Sequence, residues 1–550
     1  MGSPKTIGTL VLDRLHQSGV RHIFGIPGDY VLGLFKLIEQ SPIKQINMTR
    51  EDASGFAADA YARINGIGAC CVTYCVGGLN VVNAIACAYA ERSPVVMLSG
   101  SPGYAERMQH PLLHHMVRDF HTQREVFERV TVAAVVLDDP TTAERELDRA
   151  LAALTRYKRP IYIEIPRDMV NVPVGLSAPP RPFEEPTTNA AALAEAVAEV
   201  RSMLASAERP LVLAGAEAAR FRLQHDLERL VARMNVPIAS TLLGKSVFRE
   251  DHPLYIGIYS GLVGRDEVQQ FVSEADCLLM LGTILTDIED VGAHTARLAE
   301  GRAIHATADS ITIKHHSYNH VRLEDFIRAL AAAPLTAFPS RQLPPPPEVL
   351  QAAPSPDEPV TLRGLVAHLD HLLTEKMLVI ADVGESMFAS ADLRVRKGFE
   401  FLSPAYYTSM GFAVPASVGA EFADPSLRPI VLVGDGAFQM TGTELSTSLR
   451  YGLAPIVIVL NNRGYGTERE MLDGPFNDVH EWQYEKVCAL LGGGVGTRVK
   501  THGELVRALA AAMGDRQQPH VLNVIIDSAD RSPAMVRIAR RLGKRIANKG

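Results

Sequence analysis

The sequence predicts an α/β protein built from three doubly wound, parallel-sheet domains. Short apolar runs of strand length alternate with helical stretches along the chain, which is the pattern of parallel strands covered on both faces. At 550 residues the chain is too long for one hydrophobic core and suits three of ordinary size. Two proline-rich breaks divide it, Ala178-Pro179-Pro180-Arg181-Pro182 and the run Pro344 to Pro347. The expected domains are therefore 1–180, 190–340 and 355–550, with a stiff extended linker over 337–359.

Composition narrows the function. Hydrophobic residues make up 47% and charged residues 21% of the chain, with a formal net charge of −7. No global basic surface is present to recruit nucleic acid or anionic lipid. No apolar run reaches membrane-spanning length and no charged-then-apolar leader opens the chain, so a cytoplasmic protein is expected. The opening MGSPKT matches the loose myristoylation pattern at Gly2 and Thr6, but Pro4 argues against it. The six cysteines lack paired CxxC spacing and read as reduced core residues.

In chain order, the first domain carries β runs His22 to Ile26, Ala69 to Tyr74, Val95 to Leu98 and Ile161 to Ile165. The tight strand exit GIPGDY, Gly25 to Tyr30, contains Gly28 and presents Asp29. Glu51 precedes a helix starting near Ala53, where an acid suits the helix dipole. Val76-Gly77-Gly78-Leu79 is a flexible turn after a strand. His114 and His115 are adjacent, so on a strand or a helix they would point to different sides. The middle domain has β runs Leu211 to Ala214, Leu278 to Leu281 and Ala303 to Ala306. It offers LAGAEA where a dinucleotide site would need GxGxxG with a distal acid, so no dinucleotide is expected. The last domain opens with the strand Leu378 to Ile380 and the strand-end loop Asp382 to Ser386. Its basic end, with Arg537, Arg540, Arg541 and Lys544, reads as a solvated helical tail.

The stretch Val431 to Asp478 is the most informative. An apolar run, Pro429 to Val433, breaks at Gly434-Asp435-Gly436 and passes into a helix over Thr443 to Arg450. A second run, Pro455 to Leu460, ends in Asn461-Asn462. A βαβ unit of this kind places Asp435 and Asn462 at the carboxyl ends of neighbouring parallel strands, where such sheets bind ligands. Mg²⁺ takes hard oxygen ligands and usually only one or two side chains. Asp435, the Asn462 amide oxygen and a carbonyl of the Gly464 turn would hold it, with phosphate oxygens and water completing the shell. Gly434 and Gly436 let the backbone approach the phosphates, and the next helix N-terminus offers N–H donors.

GDG, a βαβ of this length and then NN, with the second asparagine twenty-seven residues after Asp435, resembles the thiamine diphosphate (ThDP) motif. NNRGYGTE resembles the pyruvate and indolepyruvate decarboxylase branch of ThDP enzymes. TREDASGFAADAYARINGIGACCVTYCVGGLN is similar to the cofactor-activating segment along its whole length, and SPAYYTSMGFAVPASVGA is also similar, so the resemblance covers nearly the whole chain. It implies the ThDP-enzyme fold: a pyrimidine-binding domain, a central Rossmann-like domain and a diphosphate-binding domain. It implies ThDP and Mg²⁺ as cofactors, and non-oxidative decarboxylation of a small-molecule 2-oxo acid to an aldehyde and CO₂.

By that resemblance Glu51 hydrogen-bonds the aminopyrimidine and relays the proton that lets the cofactor be activated. This task asks for a carboxyl kept partly protonated by an apolar pocket. Met410 would be the apolar wedge that bends the cofactor, and the Thr408 carbonyl would hold its amino group. Gly28, Gly384, Glu385, Ser386, Gly434, Gly436, Ala437 and Tyr465 would contact it. Glu468 would assist decarboxylation and release, with Asp29, His114 and His115 relaying protons. The relatives continue differently after the histidines, where this chain has Met116-Val117-Arg118. Ile288, Met387, Thr467 and Met471 would form the substrate pocket. Ile288, Met387 and Thr467 stand where pyruvate-specific relatives carry bulk, which favours a larger 2-oxo acid such as phenylpyruvate, indolepyruvate or a branched-chain oxo acid. Active sites shared between subunits imply a homodimer at least and a homotetramer by analogy, with no nucleic acid and no membrane partner. The competing readings are a ThDP carboligase forming 2-hydroxyketones and a non-catalytic ThDP-binding paralogue.

Overall fold

Apolar runs buried on both faces become the central strands of three sheets, and the small-residue stretches between them become the helices that pack closest. The computed structural model describes the chain except residues 1–4, 109–110, 176–186, 262, 288–299, 346–353, 374–375, 395, 397–399 and 548–550, and of residues 542–547 it gives the backbone alone. The described residues group into two units. One holds Met1–Glu185, Gly411–Leu427 and Thr441–Leu453; the other holds Pro186–Met410, Arg428–Met440 and Ala454–Gly550. The proline-rich break at 178–182 lies outside the described residues.

In the first unit six parallel strands run in the order Lys44–Asn47, His22–Gly25, Gly68–Val72, Val95–Ser101, Ile161–Pro166 and Ala133–Val136. The helix Glu51–Asn65 is buried over most of its surface because its sequence is rich in small residues. A methyl group added at Gly55 would lie 2.5 Å from Ala84 of the helix Gly78–Ala90, and one at Gly419 would lie 1.9 Å from the Ala57 carbonyl. The helix Ala413–Ala423, late in the sequence, thus closes over an early one at backbone contact distance. Gly66, with φ of 99°, ends the buried helix in the left-handed conformation. Inside it, Arg63 donates to Asp59 at 2.8 Å and lies 3.7 Å from Glu91, all three essentially without solvent contact.

The second unit carries two sheets. The later one is wholly parallel, in the order Glu400–Leu402, Met377–Ala381, Arg428–Gly434, Ile456–Asn461, His520–Ile525 and Val495–Val499. The other has parallel strands Ala303–Ala306, Cys277–Leu281, Pro210–Ala214, Ile238–Ser240 and Tyr255–Ile258, but Ser310–Ile313 and His316–Asn319 join its edge antiparallel. That edge departs from the all-parallel expectation. The two strands are joined by a tight turn through Lys314, with φ of 52°, and their polar outer residues suit an exposed edge.

Two further expectations are corrected. The helix expected over Thr443 to Arg450 begins at Asp435. Asp435–Thr441 is already helical, followed by a short 3₁₀ turn and Leu445–Tyr451. The basic C-terminal segment is a packed helix, Pro533–Ala547, not a solvated tail. Ala534, Met535 and Ile538 are buried in a cluster with Leu242, Met387 and Ala391, while Arg537 donates to the Val263 carbonyl at 2.7 Å and to Asp392 at 3.0 Å. An amphipathic spacing of its apolar residues carries it onto the unit, and its arginines find carboxylates at the rim. The six cysteines are free and buried, as expected of core residues. No described helix is long and apolar enough to cross a membrane.

Candidate active site

The neighbouring strands Met377–Ala381, Arg428–Gly434 and Ile456–Asn461 end together, and each passes into a glycine-bearing turn. Their carboxyl ends open a cleft of about 460 Å³. Gly384, with φ of 87°, turns the chain from the first strand into the helix Glu385–Ser390. Here the left-handed backbone requires glycine. Gly434 fronts open space, since a side chain added there would meet nothing within 4 Å. Asp435 follows as the first residue of its helix, and Arg463, with φ of 62°, bends the third strand's exit so that Gly464 faces back to Asp435.

Asp435 is buried, and its carboxylate accepts the N–H of Gly436 at 2.7 Å and of Gly464 at 3.2 Å. Burial pushes it up to about 6 against the pull of these N–H groups. Glu385 is pushed up to about 7, again by burial, although the Ser532 hydroxyl and N–H draw it down. Ser386 Oγ, Thr467 Oγ1 and Glu385 Oε2 are buried with no hydrogen-bond partner. Buried polar atoms are nearly always bonded, so these three leave a ligand's polar atoms to be met. The walls between them are apolar, formed by Met387, Phe388, Met410 and Leu460. The Tyr465 ring packs over Gly436, where a methyl group would come within 2.5 Å. A group with an anionic end near Gly434 to Ala437 and an apolar, hydrogen-bonding ring among Glu385, Ser386 and Met410 fits this donor set. Asp435, Asn462 and the Gly464 turn supply oxygen atoms suited to a hard divalent cation.

The cleft thus gathers Gly384, Glu385, Ser386, Met387, Thr408, Met410, Gly434, Asp435, Gly436, Ala437, Asn462, Gly464, Tyr465, Thr467 and Glu468. Met471 is not brought to its wall: it ends the helix Gly466–Met471 and is 60% exposed. The three-residue step from Glu468 is nearly a full helical turn, but the helix stops there and its last side chain looks outward. Ile288 lies outside the described residues.

Glu51, Gly28, Asp29, His114 and His115 belong to the first unit. Glu51 is the first residue of its helix, two positions before the expected start, and Asn80 donates to its Oε2 at 2.6 Å. It is half-buried, so the apolar enclosure expected around it is not supplied within this unit. Gly28 sits against Thr73, leaving no room for a side chain. His114 Nε2 and Asp29 Oδ2 are 2.7 Å apart. The two histidines do not diverge. His115 adopts φ of 69°, which folds its ring back until the imidazole centroids are 4.7 Å apart, edge to face. Its buried Nδ1 has no partner.

Sequence reading missed Tyr30, Asn80 and Arg167, which touch these groups. Tyr30 stacks on His114 at 4.9 Å and Arg167 lies over Tyr30 at 5.1 Å. Tyr30 ends the GIPGDY motif and Asn80 follows the Gly77-Gly78 turn, so both had a local signal; Arg167 had none.

Three family descriptions match the chain in order. Residues 5–122 match the thiamine pyrophosphate enzyme N-terminal TPP binding domain, 197–333 the central domain, and 382–524 the C-terminal TPP binding domain. Among similar proteins, the indole-3-pyruvate decarboxylase of Azospirillum brasilense is 36% identical over 539 residues, covering 96% of this chain and 97% of that protein. An alpha-keto-acid decarboxylase of Mycobacterium avium is 33% identical, covering 97% and 96%, and the pyruvate decarboxylase of Neurospora crassa is 31% identical, covering 96% and 95%. With ThDP-binding domains at both ends and near-complete coverage of decarboxylases, the chain belongs to the thiamine diphosphate-dependent 2-oxo acid decarboxylase family.

Proposed function

We propose that this enzyme removes CO₂ from a bulky 2-oxo acid, aromatic or branched-chain, in preference to pyruvate, using ThDP with Mg²⁺. The observation that carries the substrate class is the cleft wall. Buried Met387 and the short Thr467 stand beside Phe388 in the apolar wall of the cleft, where bulkier side chains would narrow it. The name of the Azospirillum brasilense relative, an indole-3-pyruvate decarboxylase, points the same way.

Bound in the cleft, ThDP supplies an electron sink for the pair released when the bond between C1 and C2 of the 2-oxo acid breaks. This chain's residues do the rest. Asp435, Asn462 and the Gly464 carbonyl would hold the cation, and the backbone of Gly434, Gly436 and Ala437 with Tyr465 would receive the diphosphate. Gly384, Glu385 and Ser386 would provide polar contacts, with the Met410 side chain and the Thr408 carbonyl completing the cofactor site. Glu51 of the partner subunit would hold a proton against the aminopyrimidine, and Gly28 lets the backbone close in beside Asp29. Asp29, His114 and His115 form a relay that protonates the product carbon, and exposed Glu468 at the cleft rim assists departure of CO₂ and release. Met387 and Thr467 set the size of the substrate, together with Ile288.

The enzyme works as a homodimer or a homotetramer of such dimers, with domains at 1–180, 190–340 and 355–550. Large apolar side chains near both groups of residues support this, with Leu112 87%, Leu472 71% and Phe476 66% exposed. A second copy would cover them. The test is CO₂ release from phenylpyruvate, indolepyruvate, 2-oxoisovalerate and pyruvate, with ThDP and Mg²⁺ supplied or withdrawn. Cofactor-dependent release that is faster from the bulky acids is expected; equal or better turnover of pyruvate would sink the substrate class.

A further inference from the structure

We infer that Arg167 is a positioning residue for the Asp29–His114 pair, an inference that rests on the relay role proposed above. Arg167 is the first residue after the strand Ile161–Pro166, at the carboxyl end of the sheet, and its N–H is held by the Ser101 carbonyl at 3.0 Å. Its guanidinium reaches three groups at once. Nε donates to Glu106 Oε2 at 3.1 Å, and Nη2 also bonds Glu106. Nη1 lies 3.8 Å from Asp29 Oδ2, the oxygen that also meets His114 Nε2. The guanidinium carbon lies over the Tyr30 ring, 5.1 Å from its centroid.

The histidine meets the same tyrosine. Tyr30 and His114 are stacked with rings 18° from parallel, and the Tyr30 hydroxyl donates to the His114 carbonyl at 3.3 Å. Tyr30 thus touches both Arg167 and His114, and Asp29 Oδ2 lies within reach of both. Glu106 fixes the far side of the guanidinium and accepts the Gly103 N–H at 2.7 Å, while the next residue, Asp168, accepts the Tyr104 N–H at 2.8 Å. Residues 167 and 168 thus pin the segment that leads to the histidine pair. A surface ion pair with Glu106 alone would need neither the contact with the Tyr30 ring nor the approach to Asp29.

The arrangement has an electrostatic consequence. Among the described residues, the charged and titratable groups around Asp29 are Arg167, His114 and His115, with Glu106 behind Arg167 and Tyr30 beside it. Arg167 is the one fixed cation among them. Its attraction for Asp29 Oδ2 keeps that oxygen turned to His114 Nε2. Removing it frees the Asp29 carboxylate to turn away, so the two residues lose their working geometry together.

The experiment compares kcat and KM for decarboxylation by the ThDP- and Mg²⁺-loaded enzyme, with ThDP affinity measured separately, for wild type, Arg167→Met, Arg167→Lys, Asp29→Asn and the double variant Asp29→Asn/Arg167→Met. Arg167→Met is expected to lose about ten- to a hundredfold in kcat, with KM and ThDP affinity unchanged. Arg167→Lys keeps the charge without the planar fork, so it restores part of the kcat. In the Asp29→Asn background, Arg167→Met adds little further loss. A slow Asp29→Asn enzyme beside an Arg167→Met enzyme with wild-type kcat overturns the role of Arg167 alone. So does an Arg167→Met loss in kcat that is equally large in both backgrounds. Wild-type turnover by Asp29→Asn overturns the relay reading itself and the role of Arg167 with it.

Discussion

His114 Nε2 meets Asp29 Oδ2 at 2.7 Å although the two residues come from different strand-end loops, and both side chains keep an open face toward solvent. The imidazole is held by this contact and by Tyr30, not by a helix or strand of its own, so its position depends on side chains that can be removed singly. His114→Gln keeps a hydrogen bond to Asp29 but carries no transferable proton at neutral pH. The variant is expected to bind ThDP normally and lose about 10²- to 10⁴-fold in kcat, the usual range for a lost acid or base. Steady-state kinetics with a ThDP titration checks this; a kcat within a few-fold of wild type would remove His114 from the relay.

Glu385 gives the cofactor-free protein a pH dependence. Burial raises it to about 7, whereas an unfolded glutamate titrates near 4.3. The folded state then binds the proton more tightly. The group's contribution to stability is fully present below the unfolded value and is lost as the pH rises to about 7. Glu385→Gln removes the charge and keeps the shape, so at pH 4 it should melt with wild type. At pH 8 it should be the more stable by up to roughly 3 kcal/mol. Thermal or denaturant unfolding of the cofactor-free proteins at both pH values decides it, and a difference independent of pH would refute it.

Arg63 tests the packed helix of the first unit. With Asp59 at 2.8 Å, Glu91 at 3.7 Å and the Phe412 ring 5.2 Å from its guanidinium carbon, it neutralises a site closed to water. Arg63→Ala would leave two carboxylates buried without their cation, and breaking such a pair costs about 3–5 kcal/mol. Denaturant unfolding should show a loss of that size. A loss under about 1 kcal/mol would mean water reaches the site.

Much of this was legible in the sequence because it is local. Asp435 and Asn462 are tied to neighbouring strand ends by the length of one βαβ unit, and the cleft residues near them follow from that spacing. What was hidden depends on backbone turns or on sheet order. Nothing in His114-His115 announces the left-handed φ of 69° that folds the rings together. Arg167 reaches Asp29 only because Ile161–Pro166 lies beside Val95–Ser101 in the sheet. The helix at Asp435 was masked by Gly434 and Gly436 on either side of its first residue, which have low helical propensity but are placed where the strand hands over to the helix. The antiparallel edge strands were too short and polar to stand out from loops.

The size of the substrate should be adjustable at Thr467. Its Oγ1 is buried without a partner, it lines the cleft with Met387 and Phe388, and it stands on the first turn of the helix Gly466–Met471 next to Glu468. Thr467→Ile adds apolar bulk to the wall without disturbing the oxygen donors at Asp435 and Asn462, so ThDP and Mg²⁺ should still bind. A filled wall penalises the larger acid and leaves the smaller one nearly untouched, and a methylene of misfit is worth about 1–3 kcal/mol. The ratio of kcat/KM for phenylpyruvate over pyruvate should therefore fall by roughly ten- to a hundredfold in Thr467→Ile, chiefly through the phenylpyruvate value. Loss of activity toward both acids in equal measure would mean that Thr467 supports the cofactor and that the substrate's side chain is accommodated elsewhere.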